Sequence, residues 1–494
     1  MSKRLALSAG IWSGVDVLFR QGILFLVSLI LARLLSPADF GIVALLTFFT
    51  SLSLVFVQGG LSAALVQRQS TSREEESAVF WWNLLASAVF SFVIVAAGPF
   101  LASFYGYPVL RPLTWAAAAQ IMASALSAIQ TALLSRRLQF RQLTKAGALS
   151  SLLGGAVGIA TALLGAGVWA LAWQMTTLAV ANTIILWLVC DWRPQLHARL
   201  ATIRHLIGFG GWISLGSILE VLYTQGFSLV VGKLYGAPQL GLYNRALGTQ
   251  LLPSTVLSSI IGRIALPLFA SRASEVEALR RGLRLAIGVA MLLNLPIMAG
   301  LAILAPDVIV VLFGGKWLPA APILTILALA GILYPVHAIN LQMMLARGQP
   351  RTFVRNEIAK KVIGVICVVI GSLFGILGLA WSQVVYHVLA FVVNAQPARK
   401  TMDYGPLRQL WDLGWAIFAT AVMSATIILL RLAVPLSPLA ALALLVPVGA
   451  AVYFAVGLAV RAHPLVEALH MLGESRVAQS ILARLRLVPR PPSP

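Results

Sequence analysis

The sequence predicts an all-α polytopic membrane protein of about fourteen transmembrane helices, and three observations predict it. Of 494 residues, 60% are apolar and only 10% charged, whereas a soluble domain carries roughly 25% charged residues. Apolar runs of about 20 residues, each long enough to cross a hydrocarbon core of about 30 Å as a helix, recur from end to end. The net charge of +21 is scattered between those runs rather than gathered into a patch, a placement that suits a membrane and not a nucleic acid. Helix is required because lipid offers bare backbone no hydrogen-bond partner.

Breaking the chain at charges, prolines and glycines gives spans near 11–32, 40–64, 78–101, 112–134, 146–164, 168–190 and 207–231. The series continues with 243–269, 284–304, 319–345, 358–374, 376–396, 410–430 and 437–460. Of the 36 Lys and Arg residues, 28 then fall on the side of the N-terminus and 5 on the other, with Arg20, Arg245 and Arg263 inside spans. Positive charge in short loops stays cytoplasmic, so both termini are expected in the cytoplasm and the number of crossings is even.

The first span follows Lys3 and Arg4 as a signal peptide would, but it contains Asp16 and Arg20 and lacks a convincing small-residue cleavage site. It reads as a retained helix. Beyond Arg461, Leu465, Leu469, Leu472, Val477, Ile481 and Leu485 alternate with basic residues, as in a helix lying on the anionic leaflet; a frayed tail fits equally. Cys190 and Cys367 lie in apolar stretches and offer neither a disulfide framework nor metal-ligand spacing. No metal site and no cofactor are expected.

At a shift of about 200 residues the chain echoes itself. Leu35 to Gly41 resembles Gly236 to Gly241, Phe104-Tyr105-Gly106 resembles Phe313-Gly314-Gly315, and Gly165 to Gln174 resembles Gly375 to Gln383. Their common order implies two six-helix lobes, residues 1–200 and 201–400, followed by an appended helix pair at 401–460 and the tail at 461–494. Six crossings is an even number, so the repeat is parallel, with an axis along the membrane normal. Two like lobes around a central cavity can open to each side in turn.

The stretch Leu31 to Gly41, then Gly60 to Arg68, Val79-Phe80-Trp81-Trp82-Asn83, Leu138 to Arg141 and Gly167 to Leu171 resembles the Wzx-type polysaccharide flippases. These belong to the multidrug/oligosaccharidyl-lipid/polysaccharide exporter superfamily. The resemblance is good over residues 1–190 and continues through Gly241 to Ala246 and Phe313 to Trp317. It implies a substrate of oligosaccharide repeat units on an isoprenoid (undecaprenyl) diphosphate, moved by alternating access from the cytoplasmic to the periplasmic leaflet of a bacterial inner membrane. The partners it implies are that lipid-linked oligosaccharide, the membrane lipids, and the polysaccharide polymerase and export machinery.

An ionisable residue at membrane depth is costly unless paired or wetted, so such residues are the first site candidates. Asp16 and Arg20, four apart, share a helical face. Arg20 can grip the diphosphate through its forked donors, and desolvated Asp16 can couple transport to a proton; a simple stabilising pair is the alternative. Glu220 shares a face with Thr224 and falls near the repeat-equivalent of Arg20, which suits a gate, with H+ or Na+ as coupling ion. A local salt bridge to Arg245 or Arg263 is the competing role. Arg263 and Arg245, toward the inner and outer ends of span 8, are further diphosphate candidates, although Arg245 can merely snorkel. Gln58, Asn83, Asn340, His337 and Gln383 are candidate sugar contacts, with helix-to-helix contact as the alternative; Asn294, Gln342 and His387 have similar chemistry. Pro296 and Pro335 are expected to interrupt spans 9 and 10.

Two other functions compete. A cation-coupled multidrug exporter of the same superfamily needs acidic cavity residues, and only Asp16 and Glu220 are clear mid-span acids. A membrane glycosyltransferase or polysaccharide polymerase needs a catalytic group on a sizeable extracytoplasmic loop, and no such loop exceeds roughly 14 residues by these spans. The chain therefore reads as a transporter and not as an enzyme. P-loop, zinc and Ser-His-Asp arrangements are absent from the sequence.

Overall fold

The computed structural model describes residues 22–56, 60–67, 71–195, 204–271 and 275–460, and among them every regular element is helical. In chain order these are α1 (Gly22–Leu34), α2 (Pro37–Leu54), α3 (Leu61–Gln67), α4 (Arg73–Tyr105), α5 (Leu110–Arg136), α6 (Phe140–Leu163), α7 (Val168–Val189) and α8 (Arg204–Ser271). There follow α9 (Val276–Ile303), α10 (Ala305–Phe313), a 3-10 turn (Gly315–Ala320), α11 (Ala321–Gly331) and α12 (Tyr334–Ala346). The last are α13 (Pro350–Ser372), α14 (Gly375–Met402), α15 (Pro406–Asp412), α16 (Gly414–Ala433) and α17 (Pro438–Ala459).

Among the described residues eleven helical stretches are long and apolar enough to cross a membrane. One of them lies in α8, which runs for 68 residues but leaves helical geometry at Gly236, φ +80°. A straight helix of that length would span about 100 Å, far more than a bilayer, so α8 supplies two crossings. α1, whose described part has 13 residues, and α13 fall outside that set and occupy the places of the first and eleventh expected spans. The sequence suggested a loop between spans 7 and 8; the chain instead stays helical up to Gly236, because glycine alone supplies the reversal at little steric cost.

Helix starts follow from capping chemistry. Ser36 and Asp39 form a capping box ahead of α2, with the Ser36 N–H donating to Asp39 Oδ2 at 2.9 Å and Pro37 in the first turn. Ser72 and Glu75 do the same for α4. Each box satisfies two backbone donors that the first helical turn leaves unpaired.

The chain divides into two compact units, Met1–Asn244 and Arg245–Pro494, the division falling within α8. In the first, α6 and α7 approach closely because Gly154 and Gly158 leave no room for a Cβ against Gln174 and Leu178, the small-residue packing usual between membrane helices. Gly41 of α2 lies against the backbone of Ala237, and Gly241 of α8 lies against the backbone of Pro37. The Ala237 N–H, at the α8 break, donates to Tyr107 Oη at 2.9 Å. Lys233 donates to the Phe104 carbonyl and sits 4.1 Å above the Phe104 ring. The turn after α4 thus holds the α8 break in place.

In the second unit α9 is central: Leu283, Ile287, Ala290 and Met291 are buried against Met343 and Met344 of α12 and Phe391 and Ala395 of α14. Pro296 does not interrupt α9 as expected, since the helix continues through it to Ile303. Pro335 does mark a break, between α11 and α12. A proline lacks the N–H that would bond four residues back, and Asn294 Nδ2 makes good the loss by donating to the carbonyls of Gly331 (3.1 Å) and Ile332 (2.8 Å). α16 and α17 pack on each other and on α9 and α10 through Leu292, Met423, Ile427, Leu445 and Tyr453.

Candidate functional site

Asp16, Arg20 and Gln58 lie outside the described residues, as do the side chain of Arg263 and the tail beyond residue 460. Glu220 is exposed on the first half of α8, and its carbonyl accepts from Thr224 Oγ1 at 2.8 Å, the shared face that the spacing predicts. Arg245, in the second half of α8, lies over two aromatic rings, 4.9 Å from the centroid of Phe313 and 5.3 Å from that of Trp317. Both rings are buried. A guanidinium on such faces is stabilised by their quadrupoles, so Arg245 is anchored here and does not simply snorkel. Arg245 thereby meets Phe313 and Trp317, the two ends of a segment singled out in the sequence.

The candidate sugar contacts divide. Asn83 is fully buried and donates to Ser62 Oγ at 3.1 Å, joining α4 to α3. Asn340 is also fully buried and exchanges two hydrogen bonds with Gln409, at 3.1 and 3.2 Å. That amide pair locks α12 to α15, so in this structure both asparagines make helix-to-helix contacts. Gln383 supplies its carbonyl to His387 Nδ1 at 2.8 Å. His337 stacks near His387, ring centroids 5.6 Å apart, and among the described residues neither of its ring nitrogens finds a hydrogen-bond partner. α13, which packs against α12 and α14, adds the close ion pair Lys360–Glu357 at 2.5 Å. An imidazole pair is thus assembled from α12 and α14, a pairing that His337 and His387 read singly did not suggest.

The sequence reading missed one constellation altogether. Arg431, at the end of α16, grips both carboxylate oxygens of Asp307 in the first turn of α10. Asp307 is buried, its side chain only 5% exposed. Two lone charges on the sparsely charged side of the topology were the available signal. At the other side, Arg284 of α9 binds Asp412 Oδ1 at 2.7 Å while the Tyr404 hydroxyl donates to Oδ2 at 2.9 Å. Burial, and then the adjacent carboxylate, push the Tyr404 phenol well above its ordinary range. Among the described residues no group of three or more His, Cys, Asp or Glu gathers to hold a metal, and Cys190 and Cys367 are buried free thiols.

The chain has clear relatives. The profile of a family described as polysaccharide biosynthesis protein matches residues 30–322. The chain is 24% identical over 429 residues to the lipopolysaccharide biosynthesis protein WzxC of Escherichia coli K12, covering 85% of this chain and 86% of that protein. It is 29% identical over 325 residues to the succinoglycan biosynthesis transport protein ExoT of Rhizobium meliloti, 66% of each. In structure it resembles the lipid II flippase MurJ in an inward closed conformation, with a TM-score of 0.74 at 14% identity over 90% of this chain and 98% of that one. At that identity the likeness is one of fold.

Proposed function

Because the chain belongs to the polysaccharide biosynthesis protein family, we propose that it flips isoprenoid diphosphate-linked oligosaccharide repeat units from the cytoplasmic to the periplasmic leaflet. The observation that carries this reading is the combination of near full-length similarity to WzxC with a fourteen-helix fold like that of a lipid II flippase. The chain is a multi-pass membrane transporter, and its sequence suits an anionic cargo. Ionisable groups in the spans are few, and arginines outnumber acids among them, a balance that favours a diphosphate over a cationic drug.

In this reading Arg20 and Arg263 bind the diphosphate by charge-assisted, forked hydrogen bonds, and Arg245 shapes the outer part of the path from its aromatic seat. Asp16 and Glu220 are the residues assigned to gating or to coupling with H+ or Na+. Alternating access moves the headgroup across while the isoprenoid stays in lipid. The bacterial inner membrane with both termini cytoplasmic is the orientation that follows from the 28 Lys and Arg on one side. A polysaccharide polymerase and the export machinery would take up the product on the far side.

The experiment is translocation of a fluorescent lipid-linked oligosaccharide in vesicles. Arg20→Ala is expected to abolish flipping while the protein inserts and elutes as the wild type does. Unchanged flipping removes Arg20 from the site; no flipping by the wild type, with drug export instead, overturns the function.

A further inference from the structure

Outside that transport path, the start of α13 and the end of α14 border an open cavity of about 550 Å³ lined by Arg351, Arg355 and Lys400 together with Gln349, Thr352 and Gln396. No carboxylate lines it. Among the described residues none of these three cations forms an ion pair, whereas Arg136, Arg284, Lys360, Arg408 and Arg431 each have one. Arg351 and Arg355 are four apart on one helix, a like-charge spacing that destabilises, and they stand at the positive end of α13, where the first turn carries no acidic residue. The like charges repel modestly across solvent, and an anion entering the cavity relieves that repulsion. The cavity wall is firm: Asn356 is buried, and its Nδ2 donates to the Val393 carbonyl at 3.2 Å.

Two features fix the depth and the kind of anion. Just beyond Lys400 the chain enters α15, whose Leu407 and Trp411 are 83% and 86% exposed, an apolar display that suits a short helix embedded at the membrane interface. The cavity therefore opens at headgroup level. Starting beside Arg355, α13 presents Val354, Ile358, Val362, Val365 and Val369, all exposed, as an apolar stripe that leads from the cavity toward the membrane interior.

From this juxtaposition of an uncompensated basic cavity with an apolar stripe, we propose that the α13–α14 cavity binds the phosphate headgroup of an anionic phospholipid, with its acyl chains lying along α13. Basic pockets between membrane helices bind such headgroups by charge and forked hydrogen bonds. The site is separate from the substrate residues proposed above and holds whether or not those are correct.

The test is native mass spectrometry of the purified full-length protein with phosphatidylglycerol, phosphatidylcholine or inorganic phosphate added. The wild type is expected to retain phosphatidylglycerol at least tenfold better than phosphatidylcholine. The triple variant Arg351→Gln, Arg355→Gln, Lys400→Gln should lose that preference, and Arg355→Gln alone, an exposed substitution that folding tolerates, should weaken it several-fold. Arg399→Gln removes the same charge outside the cavity, where Arg399 packs on Gly405, and should retain lipid within twofold of wild type. Equal retention of the two lipids, equal loss in Arg399→Gln, or displacement of phosphatidylglycerol by an equal concentration of inorganic phosphate would each overturn the proposal, the last by identifying a free anion as the ligand.

Discussion

Gly41 and Gly241 make reciprocal contacts: Gly41 rests on the backbone of Ala237, and Gly241 on the backbone of Pro37. The echo between Leu35–Gly41 and Gly236–Gly241, weak as sequence, is here a contact between the two copies of the motif, at the start of α2 and the middle of α8.

Adding a methyl at either glycine drives it into a backbone carbonyl of the opposing helix. Gly41→Ala and Gly241→Ala should therefore each destabilise by about 1–3 kcal/mol, the usual cost of overpacking. Melting in detergent measures this, and the two effects should be similar because the contacts are equivalent. Wild-type melting of both would mean that α2 and α8 separate freely at this point.

The Asp307–Arg431 pair should respond asymmetrically. Removing Arg431 leaves a carboxylate that is 5% exposed without its partner, whereas removing Asp307 leaves an arginine that is 36% exposed. Breaking a buried pair costs about 3–5 kcal/mol when the remaining charge is trapped. Arg431→Ala should thus lower the melting temperature clearly more than Asp307→Ala; equal effects would contradict the burial difference.

Asn340 Nδ2 donates to Gln409 Oε1, so losing Asn340 leaves that buried oxygen without its donor while Gln409 Nε2 keeps the Tyr404 carbonyl. Asn340→Leu is expected to cost about 1–3 kcal/mol, the penalty of an unsatisfied buried amide. Adding Gln409→Leu should recover part of it, since two apolar groups then face each other while the Tyr404 carbonyl loses the Gln409 donor. A double variant no better than the single would show that the amide pair is not the source of the loss.

Tyr404 gives a pH test. Its phenol is raised above the ordinary value near 10, so the folded protein holds the proton more tightly than the unfolded chain. The stability this provides is fully present below pH of about 10 and is lost as pH rises toward the folded value. Between pH 9 and 11 the wild type should lose stability by a component that Tyr404→Phe lacks, measured by melting at each pH; parallel curves would remove the effect.

The membrane character and the fourteen crossings were legible because apolar length and charge placement are local properties of the chain. Helix ends were less so. Span 10, read as 319–345, is a 3-10 turn and two helices, because Pro335 cannot donate and Asn294, on another helix, satisfies the freed carbonyls. Span 13 was placed at 410, but Gln409 and Asp412 belong to α15, a separate seven-residue helix. The same limit applied to the site. An amide such as Asn340 in an apolar helix reads alike as a sugar donor or a packing group, and only Gln409, 69 residues away, decides. Asp307 and Arg431 were individually visible, but their meeting depends on how α16 packs. The motif residues Phe313 and Trp317 were recognised as landmarks, yet their physical task, seating Arg245, required the folded chain.

The clamp between α10 and α16 joins residues made at well-separated times during synthesis. Asp307 emerges from the ribosome 124 residues before Arg431, so a nascent or truncated chain holds an orphaned carboxylate among apolar helices until the penultimate crossing arrives. A polypeptide lacking α16 would leave that buried carboxylate without the arginine that grips it here.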